Sequence, residues 1–345
     1  MKHQRFLVLG GAGMIGSQLA ARIASAGRFV AVFDNHELTH FSPLTALESS
    51  VLKHRFAKYL KDIPIYRGSI CNRADLKAAI SRTAPDCIIH LAGTPIVSMA
   101  ARKPALARRS ILDGTVTLLE TLADCPSVKR LVFASSSMVY GDFETDPVSE
   151  TCSTVPVNLY GALKLSAETL IKGYLHDTGV EPVIVRPSAV YGSGDIHRRV
   201  VQTFCENALG QKPLRISKSA DMAIDFTHIE DAVEGFWLAA THPEAAGRVF
   251  NIARGRARSL LELAQIVSGQ VGGCSIVLDA PPAEAPSRPK RGSLDISLAR
   301  QILGFRPRFD LEAGISRSMS GIREVLAQSQ PMSDPALRRQ LEARA

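Results

Sequence analysis

The 345-residue chain has no apolar run of about 18 residues free of charge, which excludes a membrane-spanning helix. It has a single tryptophan, and only 6% of its residues are aromatic. No basic run is interleaved with aromatics, so nucleic acid is not an expected partner. There is no internal repeat, which argues against a solenoid. The six cysteines (Cys71, Cys87, Cys125, Cys152, Cys205 and Cys274) include no CxxC pair, and several sit in apolar runs. That favours reduced thiols over a disulfide framework or a zinc site, and no metal is expected. What the chain has in excess is positive charge: 41 Lys and Arg against 33 Asp and Glu, a net +8. Part of it is local, in "RPKR" at 288–291 and "RRQLEAR" at 338–344. An anionic small molecule would explain such a surface, and so would a basic but merely soluble one. The apolar and charged fractions, 46% and 21%, are those of an ordinary globule.

The stretch "FLVLGGAGMIGSQLAARIASA" at 6–26 carries two opposite readings. Basic residues, an apolar run and a closing Ala-Ser-Ala resemble an export signal. The same letters also form a strand, a glycine turn and a helix. Phe6 to Leu9 is strand-like, Gly10, Gly13 and Gly16 follow at three-residue spacing, and Ile15, Leu19 and Ile23 recur at helical spacing up to Gly27. A second apolar run, "FVAVF", ends in Asp34. Gly10 permits the tight turn, Gly13 lets backbone approach a pyrophosphate, and Gly16 lets helix and strand pack closely. The helix N-terminus offers unpaired N–H groups to phosphates. Asp34 suits ribose hydroxyls and repels a 2′-phosphate, so NAD is expected rather than NADP. Arg22, Gln18 and the glycines fit an export segment poorly, and a cytoplasmic location is expected.

Further strand-like runs recur at 63–66, 87–92, 130–136 and 182–187, separated by helix-like stretches at 73–83, 105–123 and 160–176. This alternation predicts an α/β fold with a doubly wound parallel sheet. After about residue 190 the segments shorten, with helix candidates near 198–209, 230–241, 259–269 and 297–303. The expected organisation is therefore a cofactor-binding unit over 1–190 and an interleaved substrate lobe over 191–325. A proline-rich loop at 279–289 and a polar tail over 326–345 complete it.

"LYGALKLSAE" at 159–168 places Tyr160 and Lys164 on one helical face. A free tyrosine titrates near pH 10. A neighbouring ammonium would lower that value and allow Tyr160 to take a proton from a substrate hydroxyl. "ASSSMVYG" at 134–141 ends a predicted strand, where open parallel sheets bind ligands. A serine hydroxyl there can hydrogen-bond the reacting oxygen.

GGAGMIG, Asp34, "HLAG" 90–93, "SSSMVYG", YGALK, "RPSAVYG" 186–192, "DFTHIEDAVEGF" 225–236 and "LARQILGFRPRFDLEAGI" 298–315 together resemble the extended short-chain dehydrogenase/reductase family. The resemblance is to its NAD-dependent sugar epimerase/dehydratase group and runs from about residue 5 to 320. "VLKHRF" 51–56 and "PVNLYGALK" 156–164 look most like the UDP-glucuronate 4-epimerases. The resemblance implies a Rossmann-type sheet with catalytic Ser136, Tyr160 and Lys164. It implies cofactor contacts from Gly10, Gly13, Met14, Ile15, Gly16, Asp34, Asn35, Ser69, Ile70, Leu91, Ala92, Gly93, Tyr160, Lys164 and Pro187. Ser137 and Met138 stand where the dehydratases carry an Asp-Glu pair, so water elimination is not expected. Ser69 stands where the family often has Asp. Ala189 replaces the usual Asn or Thr, and Ile224 the usual Arg; both usual residues help hold a nucleotide diphosphate. The substrate is then expected to meet Ser136, Ser137, Ala189, Arg198, Arg199, Arg288 and Arg291, since guanidinium groups suit phosphate and carboxylate. The expected activity is epimerisation at C4 of a nucleotide-linked sugar, possibly a uronate, through a 4-keto intermediate. The alternatives are a one-way 4-ketoreductase or dehydrogenase, and a non-catalytic NAD(H)-sensing protein. The resemblance also implies a homodimer, paired through the helices at 105–123 and 160–176 with Leu112, Leu119, Leu165 and Ile171.

Overall fold

The structure, a computed structural model, describes residues 3–36, 44–216, 220–279 and 289–328. Arg288, residues 280–288 of the proline-rich loop, and residues 329–345 of the predicted tail lie outside the described residues. Six strands alternate with helices: β1 (Arg5–Leu9), β2 (Phe29–Asp34), β3 (Ile65–Arg67), β4 (Cys87–His90), β5 (Arg130–Ala134) and β6 (Glu181–Pro187). With the Val249–Ile252 strand they form a seven-stranded parallel sheet, a Rossmann-like α/β fold. That last strand lies beside β6, and β4 beside β1, so the order is β3-β2-β1-β4-β5-β6 and then Val249–Ile252. The chain reverses direction between β1 and β4, the place where such sheets bind ligands.

Alternation along β1 explains the two layers. Phe6 and Val8 enter the core on one face; Leu7 and Leu9 enter the core on the other. All four are fully buried, contributing about 1.5–3 kcal/mol each. The stretch that also resembles an export signal is thus the central strand, glycine turn and first helix of the fold. On one face the Met14–Ser25 and Ile229–Thr241 helices pack together, joined by the Arg22–Glu234 ion pair at 2.9 Å and by Arg22 over the Trp237 ring. On the other face lies the Leu159–Leu175 helix. A third core joins the helices Val200–Leu209, Leu260–Gly269 and Leu311–Gln328 around Phe204, Leu263 and Ile315.

Two local readings change. The "VFNIA" segment, counted from sequence with the later lobe, supplies the seventh strand of the main sheet, registered Phe250 to Val185. Its side chains read as a buried parallel strand, and periodicity alone does not say which sheet such a strand joins. The helix at 105–123 forms as Pro104–Arg108 and Gly114–Leu122, joined by one wider helical turn, Arg109–Asp113. That turn brings the Ser110 hydroxyl to the Thr94 amide, 3.1 Å away. The helix Ala46–Arg55 was not read from periodicity, although its capping box was visible in the sequence: Thr45 and Glu48 satisfy each other's backbone amides. All six cysteines are free thiols.

Candidate active site

The turn after β1 is made of backbone. Gly10 sits at φ +76°, and a Cβ there would lie 2.6 Å from the Ala92 amide nitrogen. A Cβ on Gly16 would lie 2.5 Å from the Gly10 carbonyl oxygen, so helix and turn touch directly. Gly13 differs. A Cβ there would meet only the Gly10 oxygen, at 3.2 Å, and otherwise face open space. The Met14–Ser25 helix starts at Gly13 with no side-chain cap and no acid in its first turn. Its positive end is therefore left for an anion. Asp34 closes the turn from β2: its carboxylate accepts from the Ala12 amide at 2.9 Å and the His36 amide at 2.8 Å. The other cofactor positions surround this turn. The Leu91 amide donates to the Leu9 carbonyl, Gly93 adopts φ +137°, the Ser69 amide donates to Asp75, and Ile70 is buried against Gly114. The turn has the cradle, the uncapped helix end and the ribose-side acid that NAD requires. Pro187 ends β6 beside Ile252.

Sequence reading missed Arg55. It is fully buried and donates to the Ala12 carbonyl at 2.8 Å and to the Gly194 carbonyl. Burial pushes its guanidinium down to about 10, against the pull of Asp195 and Asp34. It pins the glycine turn to the loop that precedes Arg198 and Arg199. A basic residue in a half-polar helix gives no sign of such a role.

Ser136 caps a single helical turn, Ser137–Tyr140, with its Oγ accepting from the Met138 amide at 3.2 Å. Asn158 caps the Leu159–Leu175 helix, which presents Tyr160 and Lys164 on its buried side. Ser136 stands near enough to the Tyr160 hydroxyl to pull the phenol down. Lys164 donates to the Ala134 carbonyl at 2.7 Å, at the end of β5. The structure therefore brings together the three residues expected from sequence. It also corrects one expectation. Burial pushes the Tyr160 phenol up, and the groups that pull it down are Ser136 and Arg199, not Lys164. The lysine reaches a backbone carbonyl instead and sits 6.0 Å from the centre of the tyrosine ring. Burial pushes Lys164 down to about 8, with Glu168 opposing.

Beneath them lies a network that the sequence did not announce. Arg186 donates to both Glu168 carboxylate oxygens, at 2.9 and 2.6 Å, and to the Tyr140 hydroxyl at 3.1 Å. Tyr140 donates to Asn251 at 2.7 Å, and Ser135 donates to Glu168. The network ties β5, β6, the Val249–Ile252 strand and the catalytic helix together under Ser136. Glu168, one helical turn beyond Lys164, and Arg186, a charge inside an apolar strand, were its only signals.

The substrate-side expectations separate. Arg198 pairs with Glu206 at 3.2 Å on the surface, and Arg199 with Asp195 at 3.0 Å. Ala189 packs with the third core. Arg291, read from sequence as part of a solvated or substrate-facing run, is half-buried and bonded to Ser137 and Ser188.

The profile described as "NAD dependent epimerase/dehydratase family" matches residues 6–253. A UDP-glucose 4-epimerase of Mycolicibacterium smegmatis is 30% identical over 323 residues, covering 92% of this chain and 98% of that protein. A probable UDP-glucuronate 4-epimerase of Rhizobium meliloti is 28% identical, with 91% and 95% covered. Among solved structures, the Bacillus cereus UDP-glucuronic acid 4-epimerase in complex with UDP-glucuronic acid and NAD superposes with a TM-score of 0.82. It is 25% identical, with 93% of this chain and 99% of that one covered.

Proposed function

The chain belongs to the NAD dependent epimerase/dehydratase family, and on that premise we propose that it inverts C4 of a nucleotide-linked sugar. The observation that carries this is the placement of Ser136, just past the end of β5, against the helix that bears Tyr160 and Lys164, with Lys164 bonded to the Ala134 carbonyl at that strand end. NAD is the cofactor. It supplies reversible hydride acceptance, and Gly10–Gly16 and Asp34 would hold its pyrophosphate and ribose. Tyr160, as the phenolate that the positive charge of the oxidised cofactor would favour, takes the proton of the C4 hydroxyl as the 4-keto sugar forms and returns it after the sugar has turned over. Ser136 holds that oxygen beside the tyrosine. Lys164, anchored on the Ala134 carbonyl, would offer its ammonium to the cofactor ribose. Met138 and Ser137 supply no acid–base pair, which fits epimerisation without loss of water.

The test is turnover of UDP-linked hexoses and uronates without added cofactor, followed by NMR of the product. C4-inverted product with no net NADH supports the reading. Stoichiometric NADH would establish a dehydrogenase instead.

The same reading includes a homodimer in the cytoplasm. Leu112 and Leu165 are only half-buried, and Val157 and Leu159, at 50% and 39% exposure, flank the start of the catalytic helix. Leu119 and Ile171, expected at the pairing face, lie in the chain's own core. Light scattering that gives a monomer at micromolar concentration would count against the dimer. None of the described helices is long and apolar enough to cross a membrane.

A further inference from the structure

Arg291 comes from the segment after the proline-rich stretch and enters the sheet's ligand end. One terminal nitrogen donates to the Ser137 hydroxyl at 2.9 Å and the Ser188 hydroxyl at 3.0 Å. The other approaches the Met138 sulfur at 3.0 Å, a weak acceptor. The guanidinium also stands over the Phe143 ring, 5.6 Å from its centre. Its Nε is buried and has no partner among the described residues. Among the described residues no carboxylate bonds it. The acid whose charge it feels, Asp225, has spent its oxygens on the backbone amides of Arg254, Gly255 and Leu294, at 3.0–3.1 Å. By contrast, Arg199, the guanidinium that pulls the Tyr160 phenol down, is paired with Asp195. A half-buried cation with one enclosed, unspent donor and no counter-ion among the described residues is favourably completed by an anionic ligand.

Its position says which part of a substrate would do so. Ser137, which it holds, directly follows Ser136, whose hydroxyl caps the helical turn beside the catalytic tyrosine of the proposed reaction. A group reaching Arg291 must therefore hang from a carbon next to C4. The exocyclic C6 group on C5 is such a neighbour, whereas the diphosphate on C1 lies across the ring. We propose that Arg291 recognises a C6 carboxylate, so that the preferred substrate is a nucleotide-linked uronate rather than a neutral hexose. This rests on the 4-epimerase reading above. Guanidinium suits the role because it can meet a carboxylate with two parallel N–H donors.

The test is calorimetry on the full-length, NAD-loaded protein with UDP-glucuronate, UDP-glucose and UDP. Wild type should bind UDP-glucuronate about 10- to 100-fold more tightly than UDP-glucose. Arg291→Gln should bring the two close to parity and leave UDP affinity within about twofold. Arg291→Lys, which keeps the charge and the fold but loses the fork, should fall between. The kcat/KM ratio for the two sugars should follow the same order. A wild-type preference for UDP-glucose would overturn the proposal, and so would equal losses for all three ligands, which would place Arg291 on the diphosphate or in the fold. Failure of the underlying 4-epimerase reading would appear separately, as no C4-inverted product from either sugar while the binding ratios are still measurable.

Discussion

The turn after β1 and the pocket around Arg291 both offer positive charge at the carboxyl ends of the sheet, but they are built in opposite ways. The turn is contiguous: residues 10–16 and one acid on the next strand make it, and its charge is that of backbone N–H groups. The Arg291 pocket is assembled from partners 103 and 154 residues away, and its charge is one side chain. A backbone site tolerates change in the side chains around it and fails when a glycine gains a Cβ. A side-chain site fails when its distant supports move.

The largest expected effect tests whether both halves serve one reaction. Tyr160→Phe should leave NAD bound and cut turnover by about 10²–10⁴-fold, the usual contribution of a general acid–base group. Turnover and retained cofactor can be measured on the same preparation; unchanged turnover would dissolve the assignment.

Next comes the buttress of the side-chain half. Glu168→Ala strands Arg186 in the interior and should cost about 3–5 kcal/mol in chemical denaturation. A loss below 1 kcal/mol would mean that the network is not holding Ser136.

Acid should weaken both halves together. Burial holds His90 near 3, with Lys164 assisting, and His228 near 4, with Glu230 opposing. Both are neutral when folded and take protons on unfolding below about pH 6.5, so their stability is lost as pH falls through that value. Asp225, raised to about 6 by burial, acts in the opposite sense between about 6 and 4. The net loss from pH 7 to pH 5 should be on the order of 2 kcal/mol. His228→Gln should flatten the slope. Denaturation midpoints that do not differ between the two pH values would refute this balance.

The smallest effect separates two glycines of one turn. Gly13→Ala meets only the Gly10 carbonyl oxygen, at 3.2 Å, so it should weaken NAD binding roughly tenfold at a smaller cost to folding than Gly10→Ala. Gly10→Ala meets backbone at 2.6 Å with φ +76° and should damage both. Equal stability losses in the two variants would show that the open side of Gly13 is not where phosphate approaches.

Much of the nucleotide side was legible from the chain alone, because its determinants are local. Strand, glycine spacing, helix period and terminal acid lie within residues 6–34, and backbone geometry turns that spacing directly into a cradle. Tyr160 and Lys164 were legible for the same reason, since i and i+4 share a helix face. The strand at Val249–Ile252 could be recognised as a strand, but not as the seventh in its sheet, since register is a long-range pairing. Arg55, the Glu168–Arg186–Tyr140–Asn251 network and the partial burial of Arg291 had no local signature. A charged residue in sequence looks the same whether it is solvated or enclosed. Only the packing of β5, β6 and the 289–294 segment against one another half-buried Arg291, brought two serine hydroxyls to it, and enclosed its Nε without a partner among the described residues.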